Sequence, residues 1–217
     1  EEFFKVENTA QISKVIKKLS NNFNQNSNDV LTISLLGNFH GLNKEFNKAI
    51  YFQKLAIQNA PFESVFYSNL SETYRKSYKF EQSLSILYFS KILTHKDLSI
   101  DYRIAKLNTN LKNYSQADTI YKALIKNKNV GKDIIYSYCS NLIKFKKEKD
   151  TILFIKNYEQ NFETDEVLKS LIGLAYLGQH QYNSAENYLS QAIQLNKKNA
   201  NSYAMLGDCY TRMGKSD

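Results

Sequence analysis

The chain has 217 residues, with 29 Lys and Arg against 21 Asp and Glu for a formal net charge of +8, and carries one proline, seven glycines and two cysteines. So few turn-forming residues exclude an all-β sandwich, two cysteines exclude a disulfide framework, and the lack of any apolar run of about 18 residues excludes a membrane-spanning helix. An all-α chain is predicted. Its basic residues are dispersed among acidic ones, which favours an acidic partner without building a basic tail or arm.

In chain order, Ile12, Val15, Ile16 and Leu19 recur at helical spacing, so residues 9–22 are predicted to form one helix, either an N-terminal cap or the isolated helix B of a partial repeat, within a segment 1–29. The Asn-rich stretch 21–28 reads as a loop, with Asn28 or Asp29 capping the helix that follows. From Val30 onward one period governs the chain. The stretch 70–74 matches 206–210 at an offset of four 34-residue periods, which sets repeats starting at Val30, Ser64, Leu98, Lys132, Glu166 and Ala200.

Within that frame the eighth residue is always small: Gly37, Ser71, Ala105, Cys139, Gly173 and Gly207. So is the twentieth: Ala49, Ser83, Ala117, Thr151 and Ala185. Two antiparallel helices approach closely only where a side chain is missing, so these positions predict the crossing point of helix A with helix B. Bulky residues surround it, at the seventh position (Leu36, Leu70, Ile104, Tyr138, Ile172, Leu206) and at the seventeenth (Phe46, Phe80, Tyr114, Tyr182).

Two repeats depart from the pattern. The one from Leu98 carries Asp101 and Asn108 at normally apolar positions, which predicts a helix A that faces solvent more than its neighbours and a hinge there. The one from Lys132 carries Glu148 in place of an aromatic and Tyr158 in place of a small residue, which predicts a displaced helix B and a soft point. The last repeat reaches Asp217 where its helix B should start, so the chain is expected to be part of a longer protein.

The residues Tyr203, Leu206, Gly207 and Tyr210, the run 183–189 with Ala192, and Pro61 between two repeats together resemble the tetratricopeptide repeat family over residues 30–217. The resemblance implies a right-handed α-solenoid of 34-residue helix-turn-helix repeats, a non-catalytic scaffold that holds a polypeptide along the helix A faces. Carried over position by position, it implies a groove lined by Asn38, Asn69, Arg75, Lys76, Tyr102, Arg103, Lys106, Tyr136 and Lys144, with Glu72 and Asp133 also facing it. Basic residues dominate, so an acidic peptide is the expected partner. A subtype that clamps C-terminal carboxylates would use Ser34, Asn38, Asn69, Ser99 and Arg103 here; both lysines of its clamp are serines, and Asn38 and Asn69 are better read as ordinary polar groove residues.

No catalytic, metal or cofactor site is predicted. His40, His95 and His180 occupy different repeat positions, Cys139 and Cys209 read as free buried thiols, and no phosphate loop, metal spacing or nucleophile elbow is present. Two other readings stay open: a sensory or regulatory repeat segment of a larger protein, and a nucleic-acid-binding solenoid suggested by sixteen tyrosines and the positive charge. The segment reads as soluble, and nothing in it separates cytoplasm from periplasm.

Overall fold

The computed structural model describes residues 2–94, 97–127, 130–158 and 164–215, which leaves His95 and Asp217 outside the described residues. Twelve α-helices, and no strand, occupy them: α1 (Glu2–Gln25), α2 (Val30–Leu42), α3 (Phe46–Asn59), α4 (Ser64–Lys76), α5 (Phe80–Thr94), α6 (Leu98–Asn110), α7 (Tyr114–Ile125), α8 (Lys132–Lys144), α9 (Glu148–Asn157), α10 (Glu166–Gly178), α11 (Tyr182–Leu195) and α12 (Ala200–Arg212). The helices group into two units, residues 1–111 and 112–217, with the boundary inside the repeat that starts at Leu98. The fold is an all-α solenoid of helix pairs.

Small residues bring paired helices together. In the first unit, a Cβ on Gly37 of α2 would stand 2.7 Å from Gln53 Cγ and 3.4 Å from the Ala49 carbonyl of α3. One pair later the crossing is closed by hydroxyls, with Ser71 Oγ 2.9 Å from Ser83 Oγ and Ser83 donating to the Ser71 carbonyl at 2.7 Å. In the second unit, a Cβ on Gly173 of α10 would lie 2.6 Å from Leu189 Cγ and 3.5 Å from the Ala185 carbonyl of α11. At the seventh repeat position Leu36, Leu70, Ile104 and Ile172 are fully buried, and the aromatic residues that open α3, α5, α7 and α11 are half-buried.

Each helix A ends in the same backbone turn. Lys44, Tyr78, Lys112, Lys146 and His180 have φ of 61°, 59°, 63°, 61° and 59°, and Gly214 follows at 71°, all spaced by 34 residues. At Lys44, Tyr78, Lys146 and His180 the turn closes by two backbone hydrogen bonds, as where Glu45 N–H donates to His40 O at 2.9 Å and Lys44 N–H to Gly41 O at 3.2 Å. This is the Schellman geometry, in which a left-handed residue turns the chain and satisfies carbonyls left over at the helix end. Helix starts are fixed by side chains: Asp29, Asp97, Asp165 and Asn199 accept from N–H groups of the first turn of α2, α6, α10 and α12.

Two expectations are corrected. Residues 21–25 are helical, because α1 runs to Gln25 and Phe23 is anchored edge-on to Phe52 of α3 at 5.5 Å; this tertiary contact outweighs the poor helix propensity of asparagine. Val15, by contrast, stays 36% exposed on that helix. Helix α6 does not turn toward solvent: Ile100, Ile104, Ala105 and Leu107 are buried, and Asn108 joins them at 0% exposure because its side chain donates to the Ile104 carbonyl at 3.0 Å. Its polar group is satisfied within its own helix, so the position behaves as core. On α12, for which the repeat frame leaves no helix B, Tyr203 and Gly207 are exposed, and a Cβ on Gly207 would meet nothing within 4 Å.

The irregular repeat has a local explanation. Helix α9 is only ten residues long, and Glu148 at its start lies against Gly178 of α10, where a Cβ would stand 2.9 Å from Glu148 Cγ. Glycine on the next helix makes room for the glutamate that replaces an aromatic. Tyr158, at the other end, stacks on Phe154 with ring centroids 5.9 Å apart.

Candidate interaction groove

In the first unit α2, α4 and α6 are the three helices that carry the predicted groove residues, and Arg103 of α6 ties two of them by donating from Nη2 to the Ser68 carbonyl of α4 at 2.9 Å. The residues converge on two clefts that share Glu72. One, of about 210 Å³, is lined by Asn38, Gly41, Gln53, Asn69, Thr73 and Lys76 together with Glu72. The other, of about 230 Å³, is lined by Ser71, Arg75, Arg103, Lys106 and Asn110 together with Glu72. Six of the seven groove residues predicted in this unit line one or other cleft; the seventh, Tyr102, carries Lys106 Nζ over its ring, 5.2 Å from the centroid.

Charge is organised around Glu72. Arg75 grips its carboxylate with two hydrogen bonds of 2.8 and 2.7 Å, and Lys76 stands 3.9 Å away. The Arg75 hydrogen bonds hold the Glu72 carboxyl below its ordinary range, against the opposing effect of its partial burial, and the same contact raises the Arg75 guanidinium. Burial pulls the Arg103 guanidinium below its usual value, an effect that nearby Glu72 opposes. Among the residues that line the two clefts, Arg75, Lys76, Arg103 and Lys106 stand against the one carboxylate of Glu72, an excess of three positive charges, while Asp97 also acts on Arg103. Such an excess in a recess attracts anionic side chains more strongly than the same charges spread over a convex surface.

The three residues that match the carboxylate clamp do not share one cleft, since Asn38 and Asn69 line the first and Arg103 the second. Ser99, in a clamp-lysine position, spends its backbone N–H on the Asp97 cap at 2.8 Å.

In the second unit, Tyr136 and Lys144 lie on α8. The Tyr136 hydroxyl donates to Asp165 Oδ2 at 2.8 Å, and Lys132 Nζ approaches the same oxygen at 2.9 Å. Asp165 is 3% exposed and also caps α10 through Leu168 N–H at 3.0 Å, so Tyr136 holds α8 to the start of α10. Lys144 is exposed.

The remaining candidates are accounted for locally. His40 is buried, with Nδ1 2.8 Å from Glu45 and its ring stacked on Phe52 at 5.4 Å. His180 Nδ1 lies 3.0 Å from the Tyr182 hydroxyl. Both cysteines are free and buried, and burial pushes the Cys139 thiol up to about 12, which keeps it protonated and unreactive. Among the described residues no group of three or more His, Cys, Asp or Glu could hold a metal ion, and no helix is long and apolar enough to cross a membrane.

Sequence reasoning missed Gln53. At the twenty-fourth position the repeats from Ser64, Leu98, Lys132 and Glu166 carry Leu87, Tyr121, Ile155 and Leu189, while the repeat from Val30 carries an amide there, and that oddity was the signal available.

Comparison with known proteins agrees with this architecture. Residues 169–199 match the family model described as tetratricopeptide repeat. No curated protein matches the sequence significantly. Among solved structures, a tetratricopeptide repeat protein from Parabacteroides merdae superposes with a TM-score of 0.80 at 11% identity, covering 99% of this chain and 85% of that one. YrrB, described as a TPR protein with an unusual peptide-binding site, gives 0.65 at 10% identity, covering 86% and 96%. MamA from Desulfovibrio magneticus gives 0.59 at 21% identity, covering 70% and 86%. The chain folds as a tetratricopeptide repeat protein.

Proposed function

We propose that this protein is a non-catalytic scaffold that binds an acidic polypeptide segment along α2, α4 and α6. The observation that carries the reading is the pair of adjoining clefts in which Arg75, Lys76, Arg103 and Lys106 outnumber the single carboxylate of Glu72. Recognition is reversible. An aspartate or glutamate of the partner pairs with the exposed Lys106 and with the guanidinium edges of Arg75 and Arg103, while Asn38 and Asn69 exchange hydrogen bonds with polar groups beside it. Glu72 tempers the site, because a ligand carboxylate must share Arg75 with it, and it disfavours segments of unbroken negative charge. YrrB supports the reading as a similar fold with a described peptide-binding site.

In the second unit Lys144 is a further basic residue at a helix A position, whereas Tyr136 is engaged with Asp165 and contributes its ring edge at most. The test is a selection of random peptides on immobilised protein, counter-selected on an Arg75→Glu/Arg103→Glu/Lys106→Glu variant. Peptides rich in Asp and Glu that bind only the wild type support the proposal; binders without acidic residues, retained equally by the variant, refute it.

A further inference from the structure

The two clefts occupy the same place in consecutive repeats: Asn38, Gln53 and Asn69 line the first where Glu72, Leu87 and Arg103, each 34 residues later, line the second. Glu72 lines both, and each cleft offers its carboxylate a cation from α4. Arg75, three residues on, lines the second cleft and grips the carboxylate from Nε and Nη2 at 2.8 and 2.7 Å. Lys76, four residues on, lines the first, with Nζ 3.9 Å from the Oε1 atom that Arg75 also holds. Both spacings bring side chains together on a helix, and a glutamate followed by a lysine four residues later is the favourable order.

In the free protein Arg75 wins this competition. An anion entering the second cleft changes the balance, because the guanidinium must turn donors toward it that now serve Glu72. Glu72 then needs another partner, and two further cations act on its carboxylate, Lys76 and Arg103. Arg103 is tied down, since its Nη2 donates to the Ser68 carbonyl at 2.9 Å. Lys76 has a side chain that is 45% exposed and an ion pair with Glu72 that is still long, so rotation of its staggered bonds closes the gap at little cost.

We infer that Glu72 exchanges counter-ions when the groove is filled: its carboxylate passes from Arg75 to Lys76, which frees Arg75 for the acidic group of the ligand. Lys76 is thereby a positioning residue for a cleft that it does not line. A second acidic side chain in the first cleft would compete with Glu72 for Lys76, so the exchange selects segments whose acidic residues do not fill both clefts at once. The inference rests on the reading that the groove takes an acidic segment, and it adds the residue that decides where along the groove the acid sits.

Two double-variant cycles test it at about 0.15 M salt, where charges that do not touch are largely screened. The first needs no ligand. Arg75→Gln imitates the withdrawal of Arg75, and the Glu72 carboxyl is titrated by carbon NMR in the isotope-labelled full chain with and without Lys76→Met. Exchange predicts that Lys76→Met raises the Glu72 midpoint by roughly 0.2–0.4 pH units in the Arg75→Gln protein and by less than about half as much beside an intact Arg75. Equal shifts in the two backgrounds overturn the inference. The second cycle measures the affinity of a blocked hexapeptide with one glutamate among glutamines, followed by amide shifts. Lys76→Met should weaken it roughly two- to fourfold in the wild-type background and less than about 1.5-fold once Glu72→Gln has removed the carboxylate, whereas Glu72→Gln alone should tighten it. A Lys76 effect of one size in both backgrounds overturns the inference, because the lysine would then act on the ligand directly. A wild type that does not bind the hexapeptide refutes the acidic-segment reading instead, and the titration cycle still decides the exchange.

Discussion

Gly173 and Leu189 meet where α10 crosses α11, so closely that a Cβ on the glycine would stand 2.6 Å from the leucine Cγ and 2.8 Å from its Cδ2. Leu189 is fully buried, so it has little room to yield. Gly173→Ala is expected to destabilise the second unit by about 1–3 kcal/mol, the usual cost of overpacking a filled core. Gly207 occupies the same repeat position with nothing within 4 Å, and there alanine should raise stability by up to about 1 kcal/mol through helix propensity. Opposite signs in two chemical denaturation curves would bear out the crossing geometry; equal effects would contradict it.

Five residues with side chains hold the left-handed conformation that Gly214 adopts freely. Lys44→Gly and Lys146→Gly remove the Cβ that makes this conformation unfavourable, and each should stabilise the protein by about 0.5–1 kcal/mol after allowance for the extra chain entropy of glycine. Gly214→Ala should cost a similar amount. Thermal melts of the three variants check the signs.

Asp165 connects pH to the stability of the second unit. Burial would raise its carboxyl, but the hydrogen bonds from Lys132, the Leu168 N–H and the Tyr136 hydroxyl outweigh it and hold the group below the ordinary aspartate value. A depressed carboxyl contributes stability that is complete above the unfolded pKa and is lost as pH falls through the folded one. Wild-type stability should therefore decline as pH drops below about 4. Asp165→Asn keeps the capping oxygen but loses the charge, so it should lie about 1–2 kcal/mol below wild type at neutral pH and approach it in acid. Urea titrations across that range decide the matter, and parallel curves for the two proteins would exclude the role given to Asp165.

Much of this fold was legible in the sequence because close crossings need small residues and a solenoid repeats that need at a fixed interval. Gly37, Ser71, Ala105, Cys139 and Gly173 announce the period, and helices begin at Val30, Ser64, Leu98, Lys132, Glu166 and Ala200. The left-handed turns were not legible, since Lys, Tyr and His hold them as well as glycine does once packing on either side fixes the chain. The helical residues 21–25 depended on one remote partner, Phe52, and the burial of Asn108 on a hydrogen bond to its own helix; composition registers neither. Of the groove, the register placed Asn38, Asn69, Arg75, Lys76, Arg103 and Lys106 on two adjoining clefts, but it carried no sign that Tyr136 would be engaged by Asp165.

Lys106 offers the cleanest dissection of the groove, because it is exposed and its described contact is the face of Tyr102. Lys106→Glu should leave the melting temperature unchanged and weaken an acidic peptide by roughly tenfold or more, as the loss of a charge-assisted contact implies. Arg103→Ala should do both, weakening binding and lowering stability, because its guanidinium also holds the Ser68 carbonyl. Calorimetric titration beside a thermal melt separates the two behaviours.

Whether the helix A groove takes an acidic segment is decided by mapping backbone amide shifts while a blocked hexapeptide of alternating glutamate and glutamine is added at low salt. Saturable perturbations confined to Asn69, Arg75, Arg103, Lys106 and their neighbours on α4 and α6, fading as salt is raised, are the expected outcome. Shifts centred instead on Tyr51, Phe89 and Ile92, exposed side chains of the helix B faces, would mean that the partner docks elsewhere and that the cationic clefts are not its site.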